Sequence, residues 1–581
     1  MDARLCTKNR SPFRHPNTVM NPGRLGAMHQ SRLSFVRSLI RRMAKQQWTA
    51  DLSLWNMSAQ GFGTVIYRLD TPNHHYHLVI FCDEISDEER NDRVIAEKWD
   101  VTFAFVKGSI SSTQLAQLRH NVPRQEAGRN NSQVLVLARA NKSVRVFEHL
   151  VASLAKGQQP DPQILATVGY ILRTTAVYGN GKFGIADFEL LQANPDFNLS
   201  FSAQMCAVYL LRQFSIDWVH YLAQQRGGNK AAFLSRPLQR YLGIGNATGL
   251  GMAPYLINHP RIVDQWLSVR EQALAEIVSY AITEDKCNQI NLLLSRAAVH
   301  LQQVITIDEH QQQLNKHCVG EIQAVIEQAQ HACLQQWTWK QLIEQSEQYS
   351  METQEVILSC LLELYPEQVD QHENNMNTDE TLSLTPGITV ADAQQVLTDH
   401  YQWALAIDFS QPENCYWFWY RSEDKEEPRL GIRGNEPGEE RELPLDIGRQ
   451  VYRFHQALIN EPETTPLSEF LLQHPQYRSI ARRVWTMGRC IMGDIQINVL
   501  SKDALPMHLL RCKLAMFGAT KFDPRSDRWV RVTLFQGAPL LDELHENEWL
   551  FPLLPDTEGV NNTHQFQSTT LLDPAKEEAT V

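Results

Sequence analysis

From about Ser143 to about Leu364 apolar side chains recur every three or four residues, as in Leu274, Ile277, Val278 and Ala281, or Ile322, Val325, Ile326 and Ala329. That spacing is the stripe of an amphipathic helix, so the middle of the chain must bury helix against helix. Gln-rich pieces such as QVITIDEHQQQLNKH read as solvated faces of the same helices, since straight-chain polar residues are good helix formers.

Outside this stretch the period changes. Thr64 to Leu69 alternates, passes through the turn-rich DTPNHH and returns as the apolar run His77 to Cys82, which predicts a β-hairpin. A charged helix over Asp87 to Lys98, a strand over Val101 to Val106, a helix over Ser111 to Arg119 and a strand over Val134 to Ala138 are expected to follow. Residues 49–140 therefore predict a small α+β unit and 141–365 a helical domain. Periodicity lapses over 366–389, where Pro386-Gly387 marks a turn, and this predicts a linker. Residues 390–550 predict a mixed α/β domain: a helix near Val390 to Ala404, an aromatic strand at Cys415 to Tyr420, helices at Leu445 to Leu458 and Thr465 to Thr486, and a strand at Arg528 to Phe535. Residues 551–581 read as a tail. The expected fold class is α+β, helix-dominated and multi-domain, with a central helical domain.

Charge is distributed unevenly. The chain carries a formal −12, yet residues 1–48 hold ten Lys or Arg against the single acid Asp2, leaving 44 basic and 65 acidic side chains in the rest. So acidic a body repels polyanions, and no nucleic-acid partner is expected. Leu33, Val36, Leu39, Ile40 and Met43 recur at helical spacing among Arg32, Arg37, Arg41 and Arg42. Three readings fit: an upstream extension ahead of a start at Met20 or Met28, a targeting or membrane-surface helix, and a helix packed on the acidic body, the last ranking above the second. Residues 1–28 have no apolar period and are expected to be poorly ordered and dispensable. No apolar run reaches the roughly 20 residues that span a bilayer, and no secretory signal is present, so no integral membrane association is expected. Ten scattered cysteines without a CxxC pair point to reduced thiols and a cytoplasmic location.

Two glycine-rich segments stand out. RTTAVYGNGKFGIADF carries Gly179, Gly181 and Gly184 around Asn180 and Lys182, with Arg173 and Tyr178 just before them. It is no Walker A loop, because Ala176 stands where the first Gly is required and Phe183 where the Ser or Thr is. YLGIGNATGLGMAPYLINHP carries Gly243, Gly245, Gly249 and Gly251 around Asn246 and Thr248, and fails the dinucleotide fingerprint at Thr248. Glycines this dense let backbone N–H groups converge on an anion, although each segment also reads as a packing turn between helices. A third segment, CYWFWYRSEDKEEPRLGIRGNEPGEERE, ends an aromatic strand with Arg421, Arg429 and Arg433, an anion clamp or a surface salt-bridge network. His74, His75 and His77 fit no metal template, and no metal site is assigned.

The resulting expectation is a cytoplasmic enzyme holding a small carboxylate or phosphate metabolite on the two glycine-rich segments taken as loops. Lys182 and Tyr178 are the candidate catalytic groups, with Lys182 polarising the anion and Tyr178 the general acid. Arg173, Asn180, Asn246 and Thr248 would bind it, with Arg421 and Arg429 next to join them. Neither a cofactor nor a reaction type follows from these residues. The alternative is a non-enzymatic helical scaffold or regulatory protein whose glycines are packing turns and whose basic N-terminus docks an acidic partner.

Overall fold

The computed structural model describes residues 12–83, 99–124, 133–174, 176, 202–249, 260–303, 309–374, 376, 385–411, 417–421, 429–431, 442–444, 447–487, 490, 492–493, 506–524 and 529–544. The alternating and β-branched runs form strands β1 (Thr49–Met57), β2 (Gly63–Asp70), β3 (His75–Cys82), β4 (Val101–Lys107), β5 (Val134–Lys142) and β6 (Tyr170–Thr174), each antiparallel to the one before. Next to β6 lies β7 (Gly243–Gly249), and the two run parallel. Parallel neighbours need a crossover, and its described part contains a 26-residue helix, Ser202–Gly227, packed on β5, β6 and β7.

The sheet does not stop there. Strands β11 (Ala519–Pro524) and β12 (Trp529–Leu534) add to β7, with Val532 opposite Asn246, giving the nine-stranded order β1-β2-β3-β4-β5-β6-β7-β12-β11. One sheet thus draws on all three segments that the sequence divides at 140 and 389. A second, three-stranded sheet has the order β10-β8-β9, made of β8 (Trp417–Arg421), β9 (Arg429–Gly431) and β10 (Glu442–Pro444).

Both faces of the middle strands are covered, which is why HLVIFC and VTFAFV read as unbroken apolar runs. One face joins the main core. The other packs Ile66, Val79, Phe81, Ala104 and Val106 under Leu118 and Val122, at the helix that Ser111 and Gln114 start with a capping box.

Twenty α-helices lie among the described residues, so the molecule is helix-dominated as expected. In chain order they are α1 (Pro16–Val19), α2 (Pro22–Ala27), α3 (Phe35–Lys45), α4 (Ser112–Asn121), α5 (Phe147–Ala155), α6 (Pro162–Ala166), α7 (Ser202–Gly227), α8 (Arg236–Tyr241), α9 (Pro260–Ile277) and α10 (Glu284–Gln303). They continue with α11 (Glu309–Leu334), α12 (Trp339–Ser346), α13 (Met351–Leu364), α14 (Pro366–Glu373), α15 (Val390–His400), α16 (Gln402–Leu405), α17 (Ile447–Ile459), α18 (Leu467–Gln473), α19 (Arg478–Met487) and α20 (Pro506–Phe517). Among the described residues no helix is long and apolar enough to cross a membrane.

From Phe13 onward the basic N-terminal segment is docked on the acidic helices of the same chain. Arg14 bonds Glu271 at 2.5 Å and Glu355 at 2.6 Å, Arg24 bonds Glu355 at 2.9 Å, and the fully buried Arg270 bridges the same two carboxylates at 3.1 and 2.6 Å. Farther along, Arg32 pairs with Asp370 at 2.7 Å, Arg37 with Glu363, and Arg41 with Glu373 at 2.5 Å. Val19, Leu25 and Met28 are buried, so the expectation that residues up to 28 are poorly ordered fails from Phe13 onward. The missing apolar period misled because α1 and α2 are only four and six residues long, too short to show one.

Two other expectations are corrected. The proposed linker begins as α14, whose Asp370 and Glu373 are partners of that docked segment. The single helix expected over Thr465 to Thr486 is two, α18 and α19, interrupted at His474-Pro475, since a residue before proline avoids the helical conformation.

Candidate functional site

The parallel pair β6/β7 carries three of the sequence-derived site residues, Arg173, Asn246 and Thr248. Because the strands run the same way, the chain leaves both at one end of the sheet: β6 runs into the GNGKFG segment and β7 into residues 250–259. The segment expected to be a loop at Gly243 to Gly249 is instead a strand, and two of its glycines are required by packing. A Cβ on Gly243 would meet the Leu534 carbonyl oxygen at 2.4 Å, and one on Gly245 would press into the Tyr170 ring at 2.6 Å. These glycines let β7 sit close to β6 and β12.

Asn246 is different. Its side chain is fully buried, opposite Val532, and among the described residues neither its amide oxygen nor its amide nitrogen has a hydrogen-bond partner. An unsatisfied buried polar atom costs about 1–3 kcal/mol, so an amide with both ends unpaired is unusual unless something else completes it.

Arg173 is registered against Gly245 on one side and Asn141 on the other, and it is exposed. Alternation along a strand then puts Arg173 and the buried Asn246 on opposite faces, so the structure makes them neighbours in the sheet without joining their side chains. Thr248 lies on β7 opposite Val530. Arg421 and Arg429 belong to the separate three-stranded sheet, on neighbouring strands, with Arg421 opposite Glu442 and Arg429 opposite Trp419. Tyr178, Asn180 and Lys182 lie outside the described residues.

Behind β7 a buried guanidinium anchors the pair. Arg212 on α7 donates to five carbonyl oxygens: Leu242 at 2.7 Å, Gln239 at 3.1 Å, Arg240 at 3.2 Å, Ala538 at 3.1 Å and Pro539 at 3.2 Å. The first three belong to the end of α8 and its exit, where helix carbonyls lack partners and the dipole is negative. Burial nevertheless pushes Arg212 down to about 10. This clamp ties the crossover helix to the entry of β7, and no motif announced it, because its acceptors are all backbone.

The histidines of the β2–β3 turn are engaged in ordinary hydrogen bonds, His75 with Ser109 Oγ at 3.1 Å and His77 with the Gly108 carbonyl at 2.8 Å. No group of three or more His, Cys, Asp or Glu suited to a metal occurs among the described residues. Other buried titratable groups escaped the sequence reading. Tyr67 donates to Asp217 at 2.5 Å, and burial raises both groups. Lys513 is fully buried 4.8 Å above the Phe517 ring, and burial drives its ammonium well down. Comparison of the chain with protein-family models, with curated proteins and with solved structures returned no match, so the site is read from its own chemistry.

Proposed function

We propose that the protein is a cytoplasmic enzyme that binds a small anionic metabolite, a carboxylate or phosphate, at the carboxyl ends of β6 and β7. The observation that carries this reading is the fully buried amide of Asn246, without a hydrogen-bond partner among the described residues, beside the parallel pair β6/β7. In sheets with parallel strands, ligands favour the carboxyl end, where loops diverge and backbone groups are unpaired. Asn246 would donate to the ligand and accept from it. Lys182, eight residues beyond the end of β6, would neutralise its charge. Tyr178 is the acid nearest that lysine in sequence. With Arg173 on the opposite face, the charge of the site falls to Lys182 and not to Arg173.

The test is thermal melting of the full chain with inorganic phosphate and a panel of di- and tricarboxylates, wild type beside Asn246→Leu. The proposal expects at least one anion to raise the wild-type melting temperature in proportion to occupancy and to leave the variant unmoved. The scaffold reading is favoured by Gly243 and Gly245, whose packing needs no ligand. It expects no shift with any anion and a more stable Asn246→Leu, because leucine removes two unsatisfied atoms at similar volume.

A further inference from the structure

Helices α10 and α11 form an antiparallel pair whose outer ends are tied together. Ala281 and Thr338 form an isolated β-bridge, and the Ile282 amide donates to the Trp337 carbonyl at 2.8 Å. Counting inward from that tie, Cys287 lies five residues along one helix and Cys333 four residues back along the other. At about 1.5 Å of rise per residue the two cysteines are at nearly one level. A side-chain contact agrees: the Cys287 thiol reaches the Ala329 carbonyl at 3.4 Å, one turn before Cys333 on the facing helix. Cys287 is buried and Cys333 half-buried, so Cys333 is the more accessible residue of the pair.

We propose that Cys287 and Cys333 are a dithiol modification site that a small-molecule disulfide of the glutathione class oxidises to a reversible cross-link between α10 and α11. The Cys333 thiolate, the more exposed of the two, attacks one sulfur of the oxidant. The oxidant's S–S bond breaks, its other half leaves as a thiolate that takes up a proton, and a mixed disulfide forms on Cys333. The Cys287 thiol then loses its proton and attacks Cys333 Sγ, expelling the second half of the oxidant as a thiol. The balance is one external disulfide reduced to two thiols and two protein thiols oxidised to one disulfide. Burial and the neighbouring Cys333 sulfur raise Cys287, so it is a poor first nucleophile toward an external disulfide, and its attack on Cys333 relies on proximity.

The experiment is oxidation of the full chain with glutathione mixtures of increasing disulfide content at mildly alkaline pH, quenching with an alkylating agent, and peptide mass mapping. The expected result is one linked peptide joining Cys287 to Cys333, reversed by excess reduced glutathione, with a melting temperature above that of the reduced protein. Cys287→Ser should stop at a mixed disulfide on Cys333, whereas Cys333→Ser should leave Cys287 unmodified. The proposal is overturned if wild-type Cys333 accumulates the mixed disulfide without closing to Cys287, if Cys287 links elsewhere, or if both thiols alkylate fully under the most oxidising mixture.

Discussion

Glu355 accepts from Arg14, Arg24 and Arg270 in the interior, and removing such a partner strands the other charges without water. Glu355→Gln should therefore cost roughly 3–5 kcal/mol in urea unfolding. Arg226→Ala, which breaks the exposed pair with Glu148, should cost under about 1 kcal/mol. Titration sharpens the same contrast. Burial, with Arg511 nearby, pushes His29 down to about 3, and burial pushes His220 and His300 to about 4, all from an ordinary 6.5. Each stays neutral in the fold while the unfolded chain takes up a proton, so their contribution is complete above 6.5 and is lost as pH falls toward about 4 for His220 and His300 and about 3 for His29. Burial alone would raise Glu355, but Arg14 and Arg270 hold it at about 2, so its contribution is complete above 4.5 and is lost as pH falls toward about 2. The melting temperature should fall continuously on acidification below 6.5. His220→Gln should make that fall shallower, because an amide oxygen can still accept the Leu234 N–H that His220 Nε2 accepts at 3.0 Å.

At the scale of elements, the docked N-terminus behaves as part of the fold, so deleting residues 1–28 should lower the melting temperature by several degrees, as loss of Arg14, Arg24, Leu25 and Met28 removes both charge partners and core. An unchanged melting temperature would show the segment to be an appendage. What the sequence made legible were the elements with a clean period: β2 to β5, α4, α17 and β12 lie close to where alternation or three-four spacing puts them. Those it hid share a physical reason. Strand β7 is half small residues, since its neighbours approach too closely for side chains, and so Gly243 to Gly249 reads as a loop. Gly245→Val should then be strongly destabilising, because the new Cβ meets the Tyr170 ring at 2.6 Å. Helix α2, through Arg24, and the residues just ahead of α1, through Arg14, are held by salt bridges to Glu355, more than three hundred positions away, which no local pattern reports.

For the whole molecule, pairing of β12 with β7 joins the last described strands to a sheet begun at Thr49. Nothing local in the sequence marks such a pairing, which is why boundaries at 140 and 389 looked natural and yet cut through one hydrogen-bonded sheet. Of the proposed anion site, the sequence points to the two segments and to Asn246. It missed that they leave one end of a parallel pair, that Arg173 turns to the other face, and that Arg212 fixes the pair from behind. The measurement that bears most directly on the proposed anion site is the melting shift induced by the best anion of the panel in wild type, Asn246→Leu, Lys182→Ala and the double variant. A shared site predicts that each single variant loses most of the shift, that the double loses no more, and that Lys182→Ala without ligand stays within ~0.5 kcal/mol of wild type. A full shift retained in Asn246→Leu would contradict it.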